Sequence, residues 1–255
     1  MKCLYHIKLS KVMLRGATIA LLPGDPFRSR IIGETIAKRY GTESRELAWN
    51  REYCTHLARI NNTSVLITST GIGGPSTSIA IDELAQLGVE TFIRVGTTGA
   101  IKRGIAIGDV IITTGAVRLD GASTHYAPIE YPAVAHHEVV NGLIEGSEKT
   151  GVRYHVGVTA SSDTFYPGEE RKDAFRRYVL RRFRGATEEW RNLHVLNYEM
   201  ESATLLTLTA SMGLRGGAIT GVINRAGGGA ITTRDLKVGE ANVIKAAVSG
   251  IESLL

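Results

Sequence analysis

An apolar run ends in Pro-Gly-Asp-Pro at Pro23 to Pro26, and an arginine, Arg28, follows three residues after Asp25. Glycine lets backbone N–H groups approach an anion, and a helix starting at Pro26 would add partial positive charge at the same point. Gly24 and Arg28 can therefore hold an anion; a plain strand-to-helix turn with a surface arginine accounts for the same residues. Arg94 is harder to dismiss. It stands inside "FIRVG" (Phe92 to Gly96), where an unpaired guanidinium would carry a heavy desolvation cost. It requires either a buried ion pair or a ligand anion at the strand end. Thr97, Thr98 and Gly99 follow with hydroxyls and backbone donors, and together with two arginines they compose a phosphate cradle. "STGIGGPSTS" (Ser69 to Ser78) lacks the Gly-Lys-Ser/Thr ending of a Walker A loop. Its glycines serve either tight turns or a backbone approach to a ligand.

Two further stretches carry chemistry. In "NYEMES" (Asn197 to Ser202), Glu199 and Glu201 are two apart and cannot share one face of a regular helix. In an extended segment before the next helix they project alike and suit a sugar diol; alternatively both simply favour a helix N-terminus. "SSDTFYPGEER" (Ser161 to Arg171) supplies Phe165, Glu169 and Arg171: an aromatic face with an acceptor and a donor, suited to a planar heterocycle. An exposed turn has the same composition.

The elements that must position these residues alternate along the chain. "ATIALL" reads as a buried strand, followed by a helix with Asp25 as N-cap and Pro26 in its first turn. "SVLITST" and "TFIRVG" are two more strands, with a helix over "GPSTSIAIDELAQLG" between them, closed by Gly88. "GDVIITTGAV", "YHVGVTASS" and "GGAITGVI" continue the strands, and helices are expected over His137 to Thr150, Ser202 to Met212 and Val238 to Leu255. This alternation predicts one α/β domain over residues 1–255: three α/β/α layers around a mostly parallel, partly mixed central sheet. In such sheets ligands sit beyond the carboxyl ends of strands. Gly24, the Thr70 to Gly74 loop and Thr97 to Gly99 all fall there.

The 255 residues, 43% apolar and 6% aromatic, allow a large aliphatic core. No apolar run is long enough to span a bilayer and no signal-peptide pattern opens the chain, so the expectation is a cytoplasmic protein without a membrane partner. Cys3 and Cys54 fit neither a disulfide scaffold nor a metal cluster. A net charge of +5 suits nucleic acid or a small phosphate-bearing ligand. Arginine outnumbers lysine and Gln86 is the single glutamine, a bias that fits a thermophilic source.

Taken together and in order, "PGDPFR", "STGIGGPSTSIA", "RVGTTGAI", "VRLDGASTHYAP", "VGVTASSDTFYPG" and "NYEMESATLL" resemble the motifs of the uridine phosphorylases of the nucleoside phosphorylase superfamily, from about His6 to about Arg225. The resemblance implies phosphate binding by Gly24, Arg28, Arg94 and Thr97, with Arg51 of "NREY" lent by a neighbouring subunit. It puts the ribose on Thr97, Met200 and Glu201, with Glu199 nearby, and on a neighbour's His6. It implies homo-oligomers, dimers assembled into a hexamer, and reversible phosphorolysis of a nucleoside to free base and ribose 1-phosphate. Inorganic phosphate is the co-substrate in that reaction, which needs no cofactor, no metal and no covalent enzyme intermediate.

The chain departs from the family pattern twice. Where the family has Gly-Gln-x-Arg for the base, this chain has Gly168-Glu169-Glu170-Arg171. An ionised carboxylate accepts from a base N–H but cannot donate to a carbonyl, and it would repel the base anion as it forms. Three explanations stand: Glu169 is protonated, is displaced from the base, or selects a purine edge with adjacent N–H donors. Uridine is the expected substrate, with a purine or broader nucleoside specificity as the alternative. The second departure is "GVINRAGGGAI" (Gly221 to Ile231), one residue short before Asn-Arg, which puts the reach of Arg225 to the base in question. Its three glycines predict a mobile flap or simply a loop. No aspartate stands in "TGVINR" to protonate a purine, which favours a pyrimidine.

Three other readings remain. A nucleosidase would use water in place of phosphate, against the retention of Arg28, Arg51 and Arg94. The arginines of "FRRYVLRRFRG" (Phe175 to Gly185) fit a nucleic-acid binder, but their helical spacing suits a solvated face or subunit contact, so no nucleic-acid partner is expected. A non-catalytic nucleoside-binding module would keep the same residues.

Overall fold

The computed structural model describes residues 3–227 and 229–255. In chain order the strands and helices are β1 (Ile19–Leu22), α1 (Pro26–Tyr40), β2 (Arg45–Asn50), β3 (Tyr53–Ile60), β4 (Thr63–Thr68), α2 (Gly74–Gln86) and β5 (Thr91–Ala100). Then follow β6 (Val110–Leu119), β7 (Ala133–Val134), α3 (His137–Thr150), β8 (Tyr154–Ser162), α4 (Ala186–Asn192) and β9 (Asn197–Glu199). The chain closes with α5 (Ser202–Ser211), β10 (Arg215–Arg225), α6 (Thr233–Gly250) and a 3₁₀ turn at Ile251–Leu254.

The described strands form one sheet, in the order β10-β6-β8-β9-β5-β1-β4-β3-β2 with β7 beside β6. Because β10 also pairs with β5, the part from β5 to β10 closes into a ring and β1, β4, β3 and β2 extend from it. Apolar residues of α1, α3 and α6 cover one side of the sheet (Ile32, Leu143, Val243), and those of α2 and α5 cover the other (Ile81, Leu205). These are the three layers expected from the alternation of elements. Of the ten strand pairings, five are parallel and five antiparallel. The antiparallel share comes largely from β2, β3, β7 and β9, for which the sequence carried no clear pattern.

Local signals set the element ends. The Asp25 side chain accepts from the Phe27 N–H at 2.9 Å and starts α1 at Pro26. Thr232 does the same for α6 through the Asp235 N–H at 3.1 Å, so that helix begins five residues before the expected Val238.

Strand β5 is the hub. Strand β10 occupies one edge from Thr91 to Ala100, so the other edge is shared by β1, paired with Thr91 to Arg94, and β9, paired with Gly99 and Ala100. Between them, Val95 to Thr98 have no strand partner on that edge among the described residues. The sheet therefore opens where β1 stops and before β9 begins, a gap at the carboxyl ends of β1 and β5 where a ligand can reach the backbone.

Candidate active site

A cavity of about 610 Å³ occupies this gap. Gly24, Asp25 and Arg28 border it from the β1–α1 junction, Gly71 and Ile72 from the loop after β4, and Arg94, Thr97, Thr98 and Gly99 from β5. Phe165 and Glu169 border it from the loop after β8, Tyr198 to Glu201 from β9 and its exit, and Ile223, Asn224 and Ile231 from β10 and the following loop. The two loops under the cavity are zipped together: the Thr70 N–H donates to the Pro23 carbonyl at 2.9 Å and the Gly71 N–H to the Gly24 carbonyl at 3.0 Å.

Arg94 reaches the cavity because of its neighbour. Alternate residues of a strand share a face, so the Arg94 side chain runs along β5 over Gly96. A Cβ at Gly96 would stand 2.6 Å from Nη2 and 2.7 Å from Cζ of Arg94. Only glycine leaves room for that path. The Arg94 Nε lies 2.7 Å from Glu199 Oε2, out of line for a hydrogen bond, and Nη2 pairs with Glu201. Burial works against the Arg94 charge, but Glu201 and then Glu199 outweigh it and hold the guanidinium above its ordinary pKa. Burial likewise raises the Glu201 carboxyl, opposed by Arg94 and reinforced by Glu199. Glu201 also accepts from the Gly73 N–H at 2.6 Å, tying β9's exit to the start of α2.

The two acids divide their roles. Glu199 accepts from the Glu201 N–H at 2.9 Å and the Ser202 N–H at 3.0 Å, capping α5 from inside, while Glu201 lines the cavity beside Met200. The sequence left open whether the pair bound a sugar or favoured a helix start; Glu199 does the second while standing on the cavity wall. Arg28 is held by a residue that the sequence did not bring forward: Glu240 of α6 accepts from its Nε at 3.0 Å and also from Nη2.

At the opposite end, Glu169 is buried, and burial pushes its carboxyl up to about 8, against the pull of Arg171 and with Glu199 and Glu201 adding to the rise. Glu170 points elsewhere, accepting from the Gly185 and Thr187 N–H groups at the start of α4. Arg171 does not line the cavity. Its guanidinium lies 4.3 Å over the Phe165 ring, is forked onto Asp173 at 3.0 and 2.6 Å, and donates to the Gly229 carbonyl at 3.3 Å. Arg225 is exposed at the end of β10 and also stands outside the cavity. A β-bulge between Val222 and Asn224 inserts Ile223, and both Ile223 and Asn224 border the cavity instead. Of the three glycines expected to form a flap, Gly228 lies outside the described residues.

His6 and Arg51 likewise lie apart from this chain's own cavity, but close to one another. Arg51 is the exposed turn between β2 and β3, and Asn50 beside it donates to the His6 carbonyl at 2.7 Å. The His6 ring contacts Glu83 through Nδ1 at 2.7 Å. The structure thus brings together Gly24, Arg28, Arg94, Thr97, Phe165, Glu169, Met200 and Glu201, and leaves His6, Arg51, Arg171 and Arg225 outside.

An α/β sheet opened between β1 and β9, with arginines and carboxylates converging at the gap, has the layout of an enzyme acting on a small anion and a polar second substrate. The profile described as "Phosphorylase superfamily" matches residues 18–252, and the chain belongs to that family. It is 50% identical to "Uridine phosphorylase" of Escherichia coli over 252 residues, 98% of each chain. It is 47% identical to "Uridine phosphorylase" of Haemophilus influenzae over the full length of both, and 46% identical to that of Thermococcus kodakarensis over 93% of this chain and 82% of that one.

Proposed function

We propose that this chain is a pentosyltransferase that cleaves uridine with inorganic phosphate, giving uracil and ribose 1-phosphate, in the salvage of nucleosides. The observation that carries the reading is the convergence of Arg28, Arg94, Thr97 and Glu201 on one cavity from separate parts of the chain. Relatives with the name uridine phosphorylase over nearly the whole length point to the same reaction.

In this reading phosphate lies between Gly24, Arg28, Arg94 and Thr97. Arg28 donates Nε and Nη2 to Glu240, and Arg94 pairs Nη2 with Glu201 while its Nε faces Glu199, so each arginine offers its Nη1 to the anion. Glu201 accepts from the ribose hydroxyls beside Met200, and Phe165 and Glu169 meet the base. As the bond between the sugar and the base nitrogen breaks, its electron pair leaves with the base and positive charge grows on the sugar ring. Phosphate then serves as counter-charge and as the nucleophile whose oxygen bonds the anomeric carbon. The base anion takes up a proton to become uracil. Protonated Glu169 donates to the base as the amide of the family pattern would, and it adds no negative charge beside the departing anion. The charges required are supplied by side chains and by phosphate itself, and the reading calls for no cofactor.

His6 and Arg51 complete the cavity of a second copy, so the working unit is at least a dimer, and a hexamer of such dimers is the assembly we assign. Ile72 supports this: it borders the cavity yet is 77% exposed. Close by, Phe27 and Trp49 pack edge to face at 5.5 Å while 61% and 48% exposed, an apolar patch suited to a partner copy. No helix among the described residues is long and apolar enough to cross a membrane, and we assign the chain to the cytoplasm as a single domain.

The test is a panel of uridine, thymidine, inosine and guanosine with and without phosphate. Phosphate-dependent uracil release is expected; brisk purine release with no detectable uridine cleavage would reverse the assignment.

A further inference from the structure

On the side of the sheet under α1, remote from any role in the reaction, β3 carries a polar cluster that the fold does not explain. Cys54 and His56 alternate onto the same face of β3. Ala58 and Ile60 continue that face into the apolar core with Ile32 and Ile36 of α1. Glu46 of β2 is directly opposite His56 in antiparallel register. One donor atom from each of Glu46, Cys54 and His56 lies within 4.8 Å of the others, and Glu46 Oε2 is 3.9 Å from His56 Nε2.

His56 is 6% exposed, yet neither ring nitrogen has a hydrogen-bond partner among the described residues. Leaving a buried imidazole unpaired is costly, and such groups are normally satisfied. The buried hydroxyls of Ser29 on α1 and Ser44 before β2 are also unpartnered among the described residues. Ser44 stands beside His56 in the space that a side chain at Gly33 would fill. Glu34 and Arg30 of α1, themselves 3.7 Å apart, are the other charged groups acting on the cluster.

We propose that Glu46, Cys54 and His56 bind a borderline divalent transition metal, Zn²⁺ foremost, which clamps β2 to β3 beneath α1. A thiolate, an imidazole and a carboxylate are the donors zinc takes, whereas Mg²⁺ and Ca²⁺ favour oxygen alone. In a tetrahedral zinc site, neighbouring donors stand roughly 3.4–3.6 Å apart. Rotation of the half-exposed Glu46 side chain closes the remaining distance, with water at the fourth position. On binding, the Cys54 thiol releases its proton to solvent. The clamp lies three residues from the Arg51 turn and under the helix that carries Arg28. It acts on the stability of these supports and takes no part in bond cleavage.

The experiment strips the full-length protein with chelator in phosphate-free buffer, then titrates Co²⁺ and Zn²⁺. Expected are one ion per chain, a thiolate-to-Co²⁺ charge-transfer band that Zn²⁺ abolishes, and a Tm raised by Zn²⁺. Cys54→Ser removes the band and the Tm response. Glu46→Gln, at a half-exposed position, keeps the circular dichroism and uridine turnover while weakening Zn²⁺ binding about tenfold or more. Binding well below one ion per chain, a cobalt spectrum without the thiolate band, or unchanged affinity in both variants would overturn the site.

Discussion

Replacing Glu169 by glutamine should change how the enzyme responds to pH. With its carboxyl pushed up to about 8, Glu169 is roughly 97% protonated at pH 6.5 and roughly 24% at pH 8.5. If only the protonated acid donates to the base, this residue lowers kcat/KM for uridine about fourfold across that range. Phosphate titrates there too, but equally in both proteins, so the quantity to measure is the ratio of wild-type to Glu169→Gln kcat/KM. That ratio should fall about fourfold from pH 6.5 to 8.5, with the variant at least as active as wild type at the alkaline end. Stability follows the same linkage. The folded-state pKa lies above the ordinary 4.5, so the folded protein binds more protons than the unfolded one between these values. Stability therefore falls as pH rises through the 4.5–8 window, by roughly 5 kcal/mol in all for a shift of this size. Urea unfolding at pH 5 and pH 8.5 should show the variant losing most of that slope. A ratio that stays flat or rises with pH would refute the protonated-donor argument.

Three other outcomes follow from the geometry. Gly96→Ala places a methyl 2.6 Å from Arg94 Nη2, so the arginine is displaced; phosphate KM should rise and kcat/KM fall about 100-fold or more with a normal circular dichroism spectrum. Glu240→Gln frees Arg28 from a competing carboxylate, and steady-state kinetics should show a several-fold lower KM for phosphate; a higher KM would mean that Glu240 orients Arg28 instead. Arg51→Ala and Arg94→Ala should each be nearly inactive alone, but co-refolded in equal amounts they should recover about one quarter of wild-type activity. Half the dimers are then mixed, and each mixed dimer has one intact site.

The parts of this site that the sequence disclosed are those with local chemical signals. Asp25 and Pro26 mark the start of α1, and Arg94 stands out because a guanidinium within an apolar strand needs a partner. What stayed hidden depends on distant pairing. Glu240 meets Arg28 across 212 positions, and nothing in α6 distinguishes it from a solvated helix acid. Strand β3 has no alternating pattern, because it is buried almost throughout while carrying Thr, Cys and His. The Thr55 hydroxyl is met only across the sheet, 3.1 Å from that of Thr68, a pairing that no local pattern announces. Strand β9 is three residues long, too short for any periodicity. The bulge at Ile223 appears only in register with β5, so the sequence alone does not show that Asn224, not Arg225, stands on the cavity wall.

In the proposed reaction the sugar is transferred to phosphate. Incubating the purified protein with uridine and inorganic phosphate and following the mixture by ³¹P NMR tests it directly. A sugar-phosphate resonance should grow in step with uracil and be absent from the Arg94→Ala protein. Uracil appearing with free ribose and an unchanged phosphate signal would contradict it.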